Sequence, residues 1–164
     1  DEAGNLKRLN AKLVELRIPL EISRKKGSSA IEKPSLDGPK ARAIVSVGPE
    51  LVQACMWKKT ARTNDELYNA DAWERVNTMV WQEWKWIVDA MHVVDPAHLT
   101  DDQRSNFGMH CKRFGLYWRD AYTSDFMKSY YLHTLVQHGG DSWDWIVRQC
   151  NLTWGMLSTT AIEL

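Results

Sequence analysis

The sequence predicts an all-α fold, an irregular bundle of about six helices with two long antiparallel members and no substantial sheet. Three observations predict it. Apolar residues recur at steps of three and four through most of the 164 residues. Cap-forming Ser, Thr and Asp, together with Gly and Pro, punctuate those runs. No two alternating segments stand near each other as a pair of strands would.

Leu6, Leu9, Leu13 and Leu16 form one stripe, so residues 2–17 read as a first helix, which Pro19 ends. Residues 21–36, rich in Lys, Ser and Gly, read as an exposed loop and the only linker-like stretch. Asp37-Gly38-Pro39 offers a cap and a proline for a first turn, opening residues 40–47; Gly48-Pro49 interrupts, and residues 50–57 resume the helix. A short strand over Ala43-Ile44-Val45-Ser46-Val47 competes there. Thr63-Asn64-Asp65-Glu66 is a capping-box pattern and Asp71 a second start; from Trp73, through Val76, Val80, Trp84, Ile87 and Met91 to Val94, the spacing is helical. This is the longest helix. Asp95-Pro96 ends it, and Thr100-Asp101-Asp102-Gln103 opens another with Phe107, Cys111, Phe114, Trp118 and Tyr122 on one face. Two long helices on a short connection pack antiparallel. A further helix is expected over residues 124–138, stopped by Gly139-Gly140. Asp141 then caps a short one to Cys150, and Ser158 or Thr159 starts a last one. By length the chain is one domain, residues 1–164, with residues 151–164 holding the start of a truncated terminal helix.

Composition narrows the class. Hydrophobic residues make up 44% of the chain and nine are Trp, against nine Gly and five Pro, which favours a packed core over collagen-like or low-complexity sequence. Three scattered Cys do not make a disulfide scaffold, so a reduced, intracellular protein is expected. No signal-peptide pattern and no run of roughly 18 apolar residues occurs, so no membrane partner is expected. The net charge of zero hides an asymmetry: residues 1–62 carry 13 Lys/Arg against 7 Asp/Glu, and residues 63–164 carry 8 against 14. Arg24, Lys25 and Lys26, Lys40 with Arg42, and Lys58 and Lys59 with Arg62 are the densest basic points. They read either as a phosphate-facing patch for double-stranded DNA or as a solvated face balancing the acidic half.

No Gly-rich phosphate loop, Cys-x-x-Cys, nucleophile elbow or His-Glu-x-x-His is present, which removes most enzyme classes. His92, His98 and His110 stand alone; His133 and His138 form the only close pair. A spacing of five separates two side chains by about 140° on an ideal helix, so a shared metal asks the helix to end or unwind near His138. On spacing alone the favoured reading is a core-edge His and a helix-terminal His stabilised by the dipole, ahead of a metal site. Glu163 sits in the first turn of the last helix, where a carboxylate also complements the dipole. Trp81-Gln82-Glu83-Trp84-Lys85-Trp86 spreads its rings around a helix, as burial on two sides or an interface demands.

Tyr131-Leu132-His133-Thr134-Leu135-Val136-Gln137-His138, followed by Leu152-Thr153-Trp154-Gly155 and by Ser158 to Glu163, resembles the C-terminal part of the V(D)J recombinase catalytic subunit and of the Transib-type DDE transposases. Residues 10–20, the stretch from Pro34 to Arg42 and the helices between Trp84 and Phe114 look like the helical insertion of related transposon-encoded proteins. The resemblance implies that His133 and His138 are zinc ligands and that Glu163 is the last catalytic carboxylate. It also implies Mg²⁺ in an intact enzyme, where three carboxylates hold two divalent ions. The family's upstream Cys-x-x-Cys is lacking, so the zinc site is incomplete. Neither the strands that bear the family's two Asp nor the polar approach to its Glu is found, and only Leu164 follows Glu163.

The expectation is therefore a helical insertion and C-terminal segment of a DDE-type transposase- or recombinase-like protein, DNA-associated, nuclear, and inactive alone because it has one of three carboxylates. Its partners are double-stranded DNA and a missing catalytic core. The alternative is an all-α protein–protein interaction module, or a domesticated transposon remnant without catalytic role, whose His residues are structural.

Overall fold

A computed structural model describes residues 2–28, 30–32, 38–55, 63–122 and 130–160. Those residues form seven α-helices: α1 (Glu2–Glu15), α2 (Gly38–Ser46), α3 (Gly48–Ala54), α4 (Asn64–Met91), α5 (Asp101–Tyr122), α6 (Tyr130–Asp144) and α7 (Trp154–Thr160). A 3-10 turn, Pro96–His98, separates α4 from α5, and a π-helical turn, Trp145–Gln149, follows α6 directly. No strand occurs among the described residues; an isolated antiparallel bridge joins Arg24 to Ile31. The all-α reading holds.

The chain divides into two compact units, Asp1–Thr78 and Met79–Leu164, with the division inside α4. In the first, buried Leu13, Ile18 and Leu51 gather Leu9, Leu16, Ile22, Ile44 and Val47. The α1 terminus explains why Leu13 and Ile18 meet. Ile18 N–H donates to Leu13 O at 2.9 Å and Arg17 N–H to Val14 O at 3.0 Å, around Arg17 in the left-handed region at φ 56°. That is a Schellman ending, which places its C″ residue against the helix's own last turn, with Pro19 beyond to bar continuation. Ala43 to Ser46 are helical, so the competing strand is not formed.

In the second unit the core is Val80, Ile87 and Ala90 of α4, Phe107, Cys111 and Phe114 of α5, and Val136 and Trp143 of α6. Both arms of the Thr100 box are made: Gln103 N–H donates to Thr100 Oγ1 at 3.1 Å and Thr100 N–H to Gln103 Oε1 at 3.0 Å. Trp143, wholly buried, stacks on Phe107 at 4.2 Å and donates Nε1–H to the Gln103 carbonyl at 2.8 Å.

Two expected boundaries differ. The helix does not stop at Gly139-Gly140 but runs to Asp144, because the glycines serve packing: a Cβ on Gly140 would stand 2.8 Å from Gly108 Cα. α5 and α6 cross there antiparallel and backbone to backbone, and Asp141 is interior to α6 rather than a cap. The last helix is started by Thr153, whose Oγ1 accepts Met156 N–H at 3.0 Å and donates to Val94 O at 2.8 Å; Ser158 and Thr159 lie inside it. The start of the helix expected from residue 124 lies outside the described residues.

Candidate functional site

His133 and His138 both lie on α6, the first half-buried and the second exposed. Their ring centroids are 5.8 Å apart with planes at 74°. The side chains thus converge across an unbroken helix, where helical spacing alone put them far apart. With Zn–N bonds of about 2.0–2.1 Å, two imidazoles sharing a tetrahedral ion have centroids roughly 5 Å apart, somewhat closer than the 5.8 Å of this pair. Among the described residues no group of three or more His, Cys, Asp and Glu is placed to hold a metal. Two imidazoles fall two ligands short of a closed four-coordinate site.

A second polar cluster, not singled out by the sequence reading, joins α4 to α5. Glu83 is buried, with its side chain 9% exposed, and its carboxylate is held at both oxygens: Oε2 lies 2.5 Å from His110 Nδ1 and Oε1 3.1 Å from Arg113 Nε. The His110 ring stacks on Trp86 at 3.7 Å, and its Nε2 is 3.8 Å from Asp102 Oδ2 at the surface. A hydrogen bond with Tyr117, with the Glu83 charge second, holds the Arg113 guanidinium above its ordinary pKa. This buried carboxylate has the partners it needs, and it ties two helices together. The signal was present in the spacing. Glu83 falls three residues after Val80 and four before Ile87, and His110 three after Phe107 and four before Phe114, each a polar residue inside an apolar stripe.

Nearby, an apolar recess of about 240 Å³ is lined by Val80, Trp81 and Trp84 of α4, Phe114, Trp118 and Tyr122 of α5, and Leu132 of α6. Along its wall Phe114 stacks on Trp84 at 5.1 Å, while Trp118 meets Phe114 at 5.5 Å and Tyr122 meets Trp118 at 4.8 Å with tilted rings. Burial raises the Tyr122 hydroxyl's pKa. The Trp-rich run thus packs on two sides: Trp81 and Trp84 toward the recess, Trp86 on His110.

Of the basic residues, Arg24, Lys25 and Lys26 stand on the bridged segment of the first unit, the two lysines exposed, and Lys40 and Arg42 are on α2. Lys58, Lys59, Arg62 and the expected catalytic Glu163 lie outside the described residues. Comparison with protein-family models, with curated proteins and with solved structures gives no match.

Proposed function

We propose that this chain is the helical insertion and C-terminal segment of a DDE-type DNA transposase- or recombinase-like protein, associated with double-stranded DNA in the nucleus and not catalytic alone. One observation carries the reading. The aromatic-x-His-x4-His segment, on whose residues the resemblance rests, has its two imidazole centroids 5.8 Å apart on one helix, within about 1 Å of the separation of two ligands on one zinc. In that reading His133 and His138 supply half of a structural zinc site and the missing catalytic core the rest. Glu163 would share Mg²⁺ with two carboxylates of that core. Zinc would supply cross-linking of α6 to the core, and the basic surplus of residues 1–62 faces phosphate.

Incubation with supercoiled plasmid and Mg²⁺ or Mn²⁺ is expected to leave the plasmid intact, while a duplex probe binds with an affinity that falls steeply as salt rises. Cleavage lost on Glu163→Ala would overturn the non-catalytic assignment. Duplex binding that is absent or indifferent to salt would overturn the DNA association. That outcome favours the second reading, an all-α protein–protein interaction module, which draws support from the exposed rings on α6 and its π turn: Tyr131 is 84% exposed and Trp145 63%.

A further inference from the structure

Asn10, on α1, grips one residue of the following loop with both ends of its amide. Its Nδ2 donates to the Ile22 carbonyl at 2.8 Å, and its Oδ1 accepts the Ile22 N–H at 2.9 Å. A side chain that satisfies both backbone groups of one residue replaces a neighbouring strand at that point. Beyond Ile22 the backbone turns into a narrow antiparallel ribbon. Glu32 N–H donates to Ser23 O at 2.9 Å, Lys25 N–H to Ala30 O at 2.9 Å and Ser28 N–H to Lys25 O at 3.0 Å, around the Arg24–Ile31 bridge. Gly27 turns the tip at φ 76°, and among the described residues nothing beyond its chain neighbours lies within 4 Å of where its Cβ would stand. Lys25 and Lys26 are exposed at that tip. The carboxylate at the ribbon's base, Glu32, accepts the Ser23 hydroxyl at 2.9 Å.

We propose that this ribbon is a phosphate-contacting finger for duplex DNA, carried on α1 by Asn10. The inference rests on the DNA association proposed above and adds the element that makes the contact. A two-stranded ribbon is marginal in water by itself, so an unanchored loop would lose conformational entropy on binding. The Asn10 grip removes part of that loss by fixing the ribbon's base beforehand. Two exposed lysines, adjacent in sequence on a narrow tip, suit the closely spaced phosphates of a duplex backbone. Asn10 itself touches no ligand and is a positioning residue.

The salt dependence of binding of the full chain to a short duplex, read by fluorescence anisotropy, tests this. Each neutralised phosphate contributes about 0.9 to the slope of log K against log salt, so Lys25→Ala with Lys26→Ala should lower the slope by about two. Asn10→Ala and Gly27→Val remove no charge, yet each should lower the slope toward that of the double variant, with the helical circular dichroism unchanged. Gly27→Val acts at an exposed tip and keeps the test open if Asn10→Ala fails to fold. Failure of the unaltered chain to bind duplex overturns the DNA association and the finger together. Duplex binding whose slope the double lysine variant leaves unchanged overturns the finger alone. A slope lowered by the lysine changes but by neither neutral variant overturns the positioning role of Asn10.

Discussion

Gly108 and Gly140 face each other at the crossing of α5 and α6 so closely that a Cβ on Gly140 would lie 2.8 Å, and one on Gly108 3.0 Å, from the opposite Cα. Backbone, unlike the end of a flexible side chain, cannot step aside without moving its helix. Gly140→Ala is therefore expected to destabilise the protein despite the gain of about 1 kcal/mol in helix propensity. Overpacking costs roughly 1–3 kcal/mol, and at a backbone–backbone contact the upper part of that range applies. Urea unfolding should show a lower midpoint for Gly140→Ala. A midpoint equal to or above that of the unaltered chain would show that the crossing is looser than this geometry.

The same glycines show what the sequence withholds. Gly139-Gly140 carries the local mark of a helix end, and only Gly108, far away in the chain, makes it a crossing point. Several local signals were legible: the Thr100–Gln103 box, the Leu9–Leu13–Leu16 stripe and the aromatic face of α5 were all readable, whereas the Thr153 cap, equally local, was not. Glu83 and His110, 27 residues apart, meet only through the packing of α4 on α5, so their pairing was hidden although each interrupts an apolar stripe. The His133–His138 convergence was hidden differently: helical spacing fixes where two side chains leave the backbone, while side-chain torsions decide where their rings arrive.

The buried Glu83 carboxylate should matter more than any surface ion pair. Glu83→Gln keeps the shape but removes the charge that His110 and Arg113 share. Because Arg113 is 45% exposed and can turn to water, the expected loss is about 1–3 kcal/mol rather than the larger cost of stranding a buried charge. Asp89→Asn, which removes the exposed Lys85–Asp89 pair at 2.5 Å, should cost less than about 0.5 kcal/mol. Chemical denaturation of the two variants measures the contrast; equal losses would place Glu83 among ordinary surface contacts.

Cys111 supplies a pH prediction. Burial first, and the Glu83 charge to a lesser degree, push its thiol from an ordinary 9.0 up to about 12. Unfolded chain releases that proton near 9, whereas folded chain keeps it, so between pH 9 and about 12 the native state holds more protons. Raising pH through that window therefore favours unfolding. Burial shifts Cys55 and Tyr122 in the same direction. The unfolding midpoint should fall as pH rises above 9, and Cys111→Ala should flatten part of the fall. At pH 8, peptide mapping after brief alkylation should find Cys111 unmodified in native protein and modified in urea. Native-state labelling of Cys111 as fast as in urea would refute its burial.

Zinc affinity separates a paired site from a complete one. A closed structural site uses four ligands and contributes about 10–16 kcal/mol at pH 7. His133 and His138 offer two neutral nitrogens, and among the described residues no third His, Cys, Asp or Glu joins them. Zinc added to the untagged chain should therefore bind weakly and be lost on dialysis against a mild chelator. His138 is exposed, so His138→Ala should leave Tm unchanged in metal-free protein while abolishing whatever weak binding is seen. Elemental analysis after dialysis decides the matter: one retained zinc per chain would require two further ligands, which variants of Asp141 and Cys150 would begin to test.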